Sequence, residues 1–139
     1  MKNANTQDNV FTIPAGMQVL VVDDEDMVRS TAGMLLESLG CVVETAENGD
    51  AGLLKISAGL QVDMILLDIN MPGISGDQFM QELQAREIEV PIILCSGYTE
   101  FDEHSYAGFH NMRGFLAKPY TRRELEQTVL KCIHTELEA

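Results

Sequence analysis

The 139-residue chain is poor in positive charge, in long apolar runs and in paired cysteines, and each shortage removes a class of function. Nine Lys and Arg stand against 22 Asp and Glu, a formal charge of −13 with a pI near 4.4. Such a surface repels the phosphates of nucleic acid and of anionic membranes, so no nucleic-acid partner is expected. No apolar run exceeds about five residues, against the roughly 20 that cross a bilayer, so no membrane insertion is expected either. The opening MKNANTQDNV lacks the apolar core of a secretion signal, which makes the cytoplasm the expected compartment. Cys41, Cys95 and Cys132 are odd in number and widely spaced with no C-x-x-C, which points away from a disulfide framework and from a zinc site. The length suits a single domain and therefore one principal site.

What the chain does have is alternation. Residues 1–16 are polar, carry Pro14 and Gly16 and show no sustained period, so they read as a leader or linker remnant before a domain over 17–139. From there, apolar runs VLVV (19–22), VVETA (42–46), MILL (64–67), IILC (92–95) and GFLA (114–117) predict strands. Between them Val28, Leu35 and Leu39 mark one helical face, Ala51 and Leu54 a second, and Phe79 and Leu83 a third. Leu125, Val129, Cys132 and Ile133 stripe a terminal helix, and a fourth helix is expected within EFDEHSYAGFH at 100–110. Strands that are apolar throughout, each followed by a helix, indicate an α/β fold with a doubly wound parallel sheet covered on both faces. In such sheets the site lies outside the carboxyl ends of the strands.

The residues just past those ends therefore matter most. The first strand runs into Asp23, Asp24, Glu25 and Asp26, and the third into Asp68, Ile69, Asn70, Met71 and Pro72. The fourth ends in Ser96 and Gly97, and the fifth in Lys118 and Pro119. Carboxylates crowded at a buried strand end repel one another unless a cation or their own protons relieve them. Several neighbours have plainer readings. Asp26 suits the N-cap of the first helix and Glu25 a solvated loop charge; the methionines read as packing. His104, His110 and His134 lack ligand spacing, and Ser96 on its own equally suits a turn. Pro119 disfavours helix at Lys118 and is a cis-proline candidate, which would fix where the ammonium points.

Taken together, VVDDED, LLDINMPGISG, ILCSGY and FLAKPY, in that order and over residues 17 to 136, resemble the receiver domain of bacterial two-component response regulators. CSGY followed by KPY is similar to receivers at the C-terminus of hybrid sensor kinases. The resemblance implies a CheY-like, flavodoxin-like sheet of five strands in the order 2-1-3-4-5. It implies that Asp68 is the phosphoacceptor, and that Asp23, Asp24, Asp68 and the backbone carbonyl of Asn70 hold Mg²⁺. Lys118 and Ser96 would contact the phosphoryl group, with Gly97 leaving it room. Ser96 and Phe115 would form a switch, although Phe115 also suits a static core residue of an edge strand. The implied partners are a histidine kinase or histidine phosphotransfer protein, and a downstream protein on the face of the fourth helix, fifth strand and terminal helix. The domain would assist its own phosphorylation and dephosphorylation without being an enzyme in its own right, and no DNA-binding output domain is expected.

Other classes fit less well. A flavin mononucleotide carrier shares the strand pattern, but its first loop must receive a phosphate that four acids would repel. An aspartyl phosphatase of the related type wants a second Asp two residues after the nucleophile, where this chain has Asn70. A degenerate receiver would not need Asp23, Asp24, Asp68, Ser96 and Lys118 all present.

Overall fold

The computed structural model describes residues 12–97, 108, 109 and 111–138, with side chains as far as 134 in the last helix. Its strands are β1 (Gln18–Val22), β2 (Val42–Ala46), β3 (Met64–Asp68), β4 (Ile92–Ser96) and β5 (Met112–Ala117). The helices are α1 (Asp26–Ser38), α2 (Gly49–Ser57), α3 (Gly76–Ala85) and the terminal α4 (Arg122–Glu138). All pairings are parallel, in the order β2-β1-β3-β4-β5. The fourth helix expected at 100–110 lies outside the described residues, as do Tyr98, Phe101, His104, Tyr106 and His110.

The uniformly apolar runs occupy the middle of the sheet because both of their faces are covered. Every residue of β3 and β4 is buried, whereas the edge strand β2 alternates between exposed and half-buried positions until Ala46. Successive side chains point to opposite faces, so the central strands feed two apolar layers. Val19, Val21, Leu66 and Ile93 pack with Ala32 and Leu36 of α1 and with Leu125, Val129 and Cys132 of α4. Leu20, Val22, Ile65, Leu67 and Leu94 pack with Leu53 of α2 and with Phe79, Met80 and Leu83 of α3. Ile13 also packs on the first layer, and the Gly16 amide donates to the Gly40 carbonyl at 2.9 Å.

Helix starts follow local chemistry. The Asn48 side chain accepts from the Ala51 amide at 2.7 Å and caps α2. Thr121 and Glu124 form a reciprocal pair at the start of α4, the Thr121 amide donating to Glu124 Oε1 (2.8 Å) and the Glu124 amide to Thr121 Oγ1 (3.1 Å). Asp26, expected as a cap, is instead the first helical residue; Glu25 holds the cap position without a side-chain bond, and Asp26 pairs with Arg29.

Other expectations need correcting. On α1 the expected face holds, with Val28, Leu35 and Leu39 half-buried and the last two packed on the first layer, but the fully buried residues are Ala32, Gly33 and Leu36 beside them. A Cβ on Gly33 would lie at ordinary contact distance from Val43, 3.6 Å, so crowding does not force the glycine there. On α2 Leu53 is buried and Leu54 is 70% exposed. There Gly52 faces inward, where a Cβ would meet Phe79 at 3.2 Å and Val22 at 3.3 Å, and this sets which leucine is covered. Met27 and Met34 are 79% and 65% exposed, so these two methionines are not packing residues. β5 begins at Met112, two residues before the GFLA run. No helix among the described residues is long and apolar enough to cross a membrane.

Candidate functional site

The register of the sheet brings the strand ends together. Val22 pairs with Leu67, so Asp23 and Asp68 leave neighbouring strands at about the same height. Asp68 pairs with Cys95 and Ser96 with Ala117, which places Ser96 and Lys118 next along the same edge. Backbone bonds carry the ladder past the strands: the Asp23 amide donates to the Ala46 carbonyl (3.2 Å), Ile69 to Cys95 (2.9 Å) and Lys118 to Ser96 (2.8 Å).

At this edge the Lys118 ammonium lies 2.8 Å from Asp23 Oδ2 and 3.5 Å from Asp68 Oδ1. Asp23, Asp68 and Ser96 are buried, at 4%, 6% and 3% exposure. Asp24 is exposed, yet one of its oxygens lies within 4.8 Å of oxygens of Asp23 and Asp68. Asn70 is exposed in the loop after β3, and its amide donates to Asp68 Oδ1 at 3.3 Å. Gly73 turns that loop at a φ of +83°, a backbone region that strains other residues. The Lys118–Pro119 peptide is cis. Gly97 is exposed, and among the described residues nothing lies within 4 Å of where its side chain would begin. Phe115 is half-buried against the second apolar layer.

The charges are unbalanced. Burial pushes the Asp68 carboxyl up to about 6, and the Asp23 charge adds to the rise, while Lys118 and the Asn70 amide oppose it. Burial acts to lower Lys118, but its hydrogen bond to Asp23 and the charges of Asp68 and Asp23 outweigh this and hold it above its ordinary value. Cys95, one position before Ser96, is buried with its thiol pushed up by burial, so it offers no thiolate. The donors are therefore hard oxygens carrying more negative charge than one lysine neutralises, a set that suits Mg²⁺ and not a thiophilic metal.

One contributor escaped the sequence reading. Arg29, in the first turns of α1, donates from one guanidinium nitrogen to the Asp23 carbonyl (2.7 Å) and from another to Asp26 Oδ1 (2.5 Å). The available signal was the three-residue spacing from Asp26, a helical ion-pair distance. Beside the acids, Met27, Val28, Lys118 and Tyr120 help line an open groove of about 480 Å³.

A parallel sheet in this order, with aspartates from two adjacent central strands meeting a lysine beyond the fifth, defines a CheY-like signalling domain. The chain belongs to the response regulator receiver domain family, whose model matches residues 19–130. It is 34% identical over 108 residues to the transcriptional regulatory protein FixJ of Azorhizobium caulinodans, covering 78% of this chain and 51% of FixJ. It is 31% identical to the sensor kinase CckA of Brucella abortus, covering 85% of this chain and 13% of that protein. Among solved structures, the response regulator TrrA of Thermotoga maritima, in complex with Mg²⁺ and beryllofluoride, superposes with a TM-score of 0.73 at 33% identity, covering 84% of this chain and 98% of TrrA. The chain spans about half or less of the length of the curated relatives it matches.

Proposed function

We propose that Asp68 accepts a phosphoryl group from a histidine kinase or histidine phosphotransfer protein. The observation that carries this reading is a buried carboxylate with an ammonium 3.5 Å away and two further carboxylates gathered around it. A carboxyl titrating at about 6 is mostly ionised at neutral pH, so Asp68 is available to attack. One of its oxygens forms the new bond to phosphorus as the phosphorus–nitrogen bond of the donor phosphohistidine breaks, leaving an acyl phosphate and a free imidazole. Asp23, Asp24, Asp68 and the Asn70 carbonyl would hold Mg²⁺, which when bound neutralises charge on the phosphoryl oxygens. Lys118 and the Ser96 hydroxyl supply the remaining contacts, because such transfers depend mainly on positioning and charge stabilisation. The groove beside the site gives the donor its approach. The same groups assist hydrolysis of the acyl phosphate; the domain is a phosphoacceptor and not a turnover enzyme.

In this reading the signal leaves through Ser96 and Phe115 to a protein partner on the face of β5 and α4, together with the segment at 100–110 expected from its sequence to be helical, as a shift of population between two arrangements. The strongly acidic receiver does not itself read nucleic acid, and an intracellular kinase as donor places it in the cytoplasm.

The test is labelling by acetyl phosphate, read by intact mass. Wild type with Mg²⁺ gains one phosphoryl group, while EDTA or Asp68→Asn abolishes the gain. Equal labelling of Asp68→Asn would falsify the assignment. On forming the beryllofluoride adduct, amide shifts should extend through residues 96–125; shifts confined to residues 68–76 would remove the proposed output face.

A further inference from the structure

The β1–α1 loop must present Asp23 and Asp24 toward Asp68, yet α1 begins without a side-chain cap to fix its first turn. Two contacts take over that task. The Glu25 amide donates to Asp23 Oδ1 at 2.9 Å, closing the loop over Asp24. Arg29 holds the Asp23 carbonyl at 2.7 Å and the Asp26 carboxylate at 2.5 Å with one planar group, and its own amide donates to the Glu25 carbonyl at 2.9 Å. Asp24 therefore lies between two anchored peptide units. Its exposed side chain reaches the cluster through this backbone geometry, not through burial of its own.

We infer that Arg29 is a positioning residue for the cation site, acting through the Asp23 carbonyl to set where the Asp23 and Asp24 carboxylates converge on Asp68. This rests on the proposed Mg²⁺ role of those acids and adds a residue outside the ligand set. The guanidinium suits the task because it is planar, permanently charged and able to bridge two acceptors, and its side chain is only 17% exposed. Residues that orient ligands typically change metal affinity by about 10-fold or more when removed.

Charge and position act here with opposite signs, which makes the inference testable. As a mere neighbouring cation, Arg29 would repel Mg²⁺, and Arg29→Met would bind the ion more tightly. As a clamp, its removal loosens the loop and weakens binding. The experiment is an NMR titration of the full chain with MgCl₂ at fixed ionic strength, comparing wild type, Arg29→Met and Arg29→Lys. Amide dispersion in EDTA reports folding, and no phosphorylation is involved. The expected result is about a tenfold loss of Mg²⁺ affinity for Arg29→Met, with an intermediate loss for Arg29→Lys, which keeps the charge but not the bridge. Unchanged or tighter binding by folded Arg29→Met overturns the inference. Should that variant not fold, Arg29→Lys decides: weaker binding than wild type supports the clamp, and equal binding overturns it. If wild type itself binds no Mg²⁺, the proposed cation site fails instead, an outcome separate from failure of the clamp.

Discussion

The middles of the central strands and their carboxyl ends are about equally buried and chemically opposite. Leu20, Ile65, Leu67 and Ile93 are fully covered by apolar side chains, while a residue or more further on Asp23, Asp68 and Ser96 are covered almost as well. Apolar burial is worth about 25 cal/mol per Å², whereas burying ionised groups costs stability unless partners compensate. The sheet thus stabilises itself in its middle and spends part of that stability at its end (the two carboxylates share one lysine there). A site kept short of positive charge is one that a cation or a proton can change.

The largest effect should come from the apolar middle. Phe79 is fully buried between α3 and the second layer, so Phe79→Ala should cost about 3–5 kcal/mol in urea unfolding, with Mg²⁺ affinity of the folded protein little altered. A cost near that of a surface substitution would mean the layer is less closely packed than the structure shows.

Lys118→Met tests the end directly. It leaves Asp23 and Asp68 facing one another without their ammonium and should destabilise the metal-free protein by about 2–4 kcal/mol at pH 7, somewhat less than a fully enclosed pair. The deficit should shrink at pH 5, where Asp68 takes up a proton. A pH-independent deficit would point to lost packing instead.

Asp68→Asn should move stability the other way. The folded carboxyl titrates at about 6 against an ordinary 3.8, because burial and the Asp23 charge outweigh the help from Lys118. The folded state therefore binds this proton more tightly than the unfolded chain. The contribution of Asp68 is complete below about pH 4 and is lost as pH rises through about 6. Replacing it with the neutral amide should stabilise the metal-free protein by about 1–3 kcal/mol at pH 7, after allowance for solvent screening, and by little at pH 4. Denaturant unfolding at the two pH values checks both size and direction; a variant less stable than wild type at pH 7 would show that Asp68 is structural.

The smallest change belongs to Asp24, which is exposed. Asp24→Asn should raise the melting temperature in EDTA by no more than a few degrees while weakening Mg²⁺ binding. A lower melting temperature in EDTA would identify Asp24 as a structural cap.

The sequence by itself determined the strands, the helices among the described residues and the α/β class, because strand and helix periods and turn chemistry are local; the strand order came from the family resemblance. The apolar runs mark the buried central strands, and following each run to its end finds Asp23, Asp68, Ser96 and Lys118 on one edge. Only the tertiary structure decided how those groups divide the work. Asp23 and Asp24 are adjacent letters in one acidic run, yet one is buried against a lysine 95 residues away and the other is exposed. Leu53 and Leu54 are likewise adjacent, and the glycine face of α2 settles which is covered. Arg29 looks like any helical arginine until α1 folds back onto the strand that precedes it. Burial, pair distance and the clamp depend on how strands register and loops close, and no local period encodes those quantities.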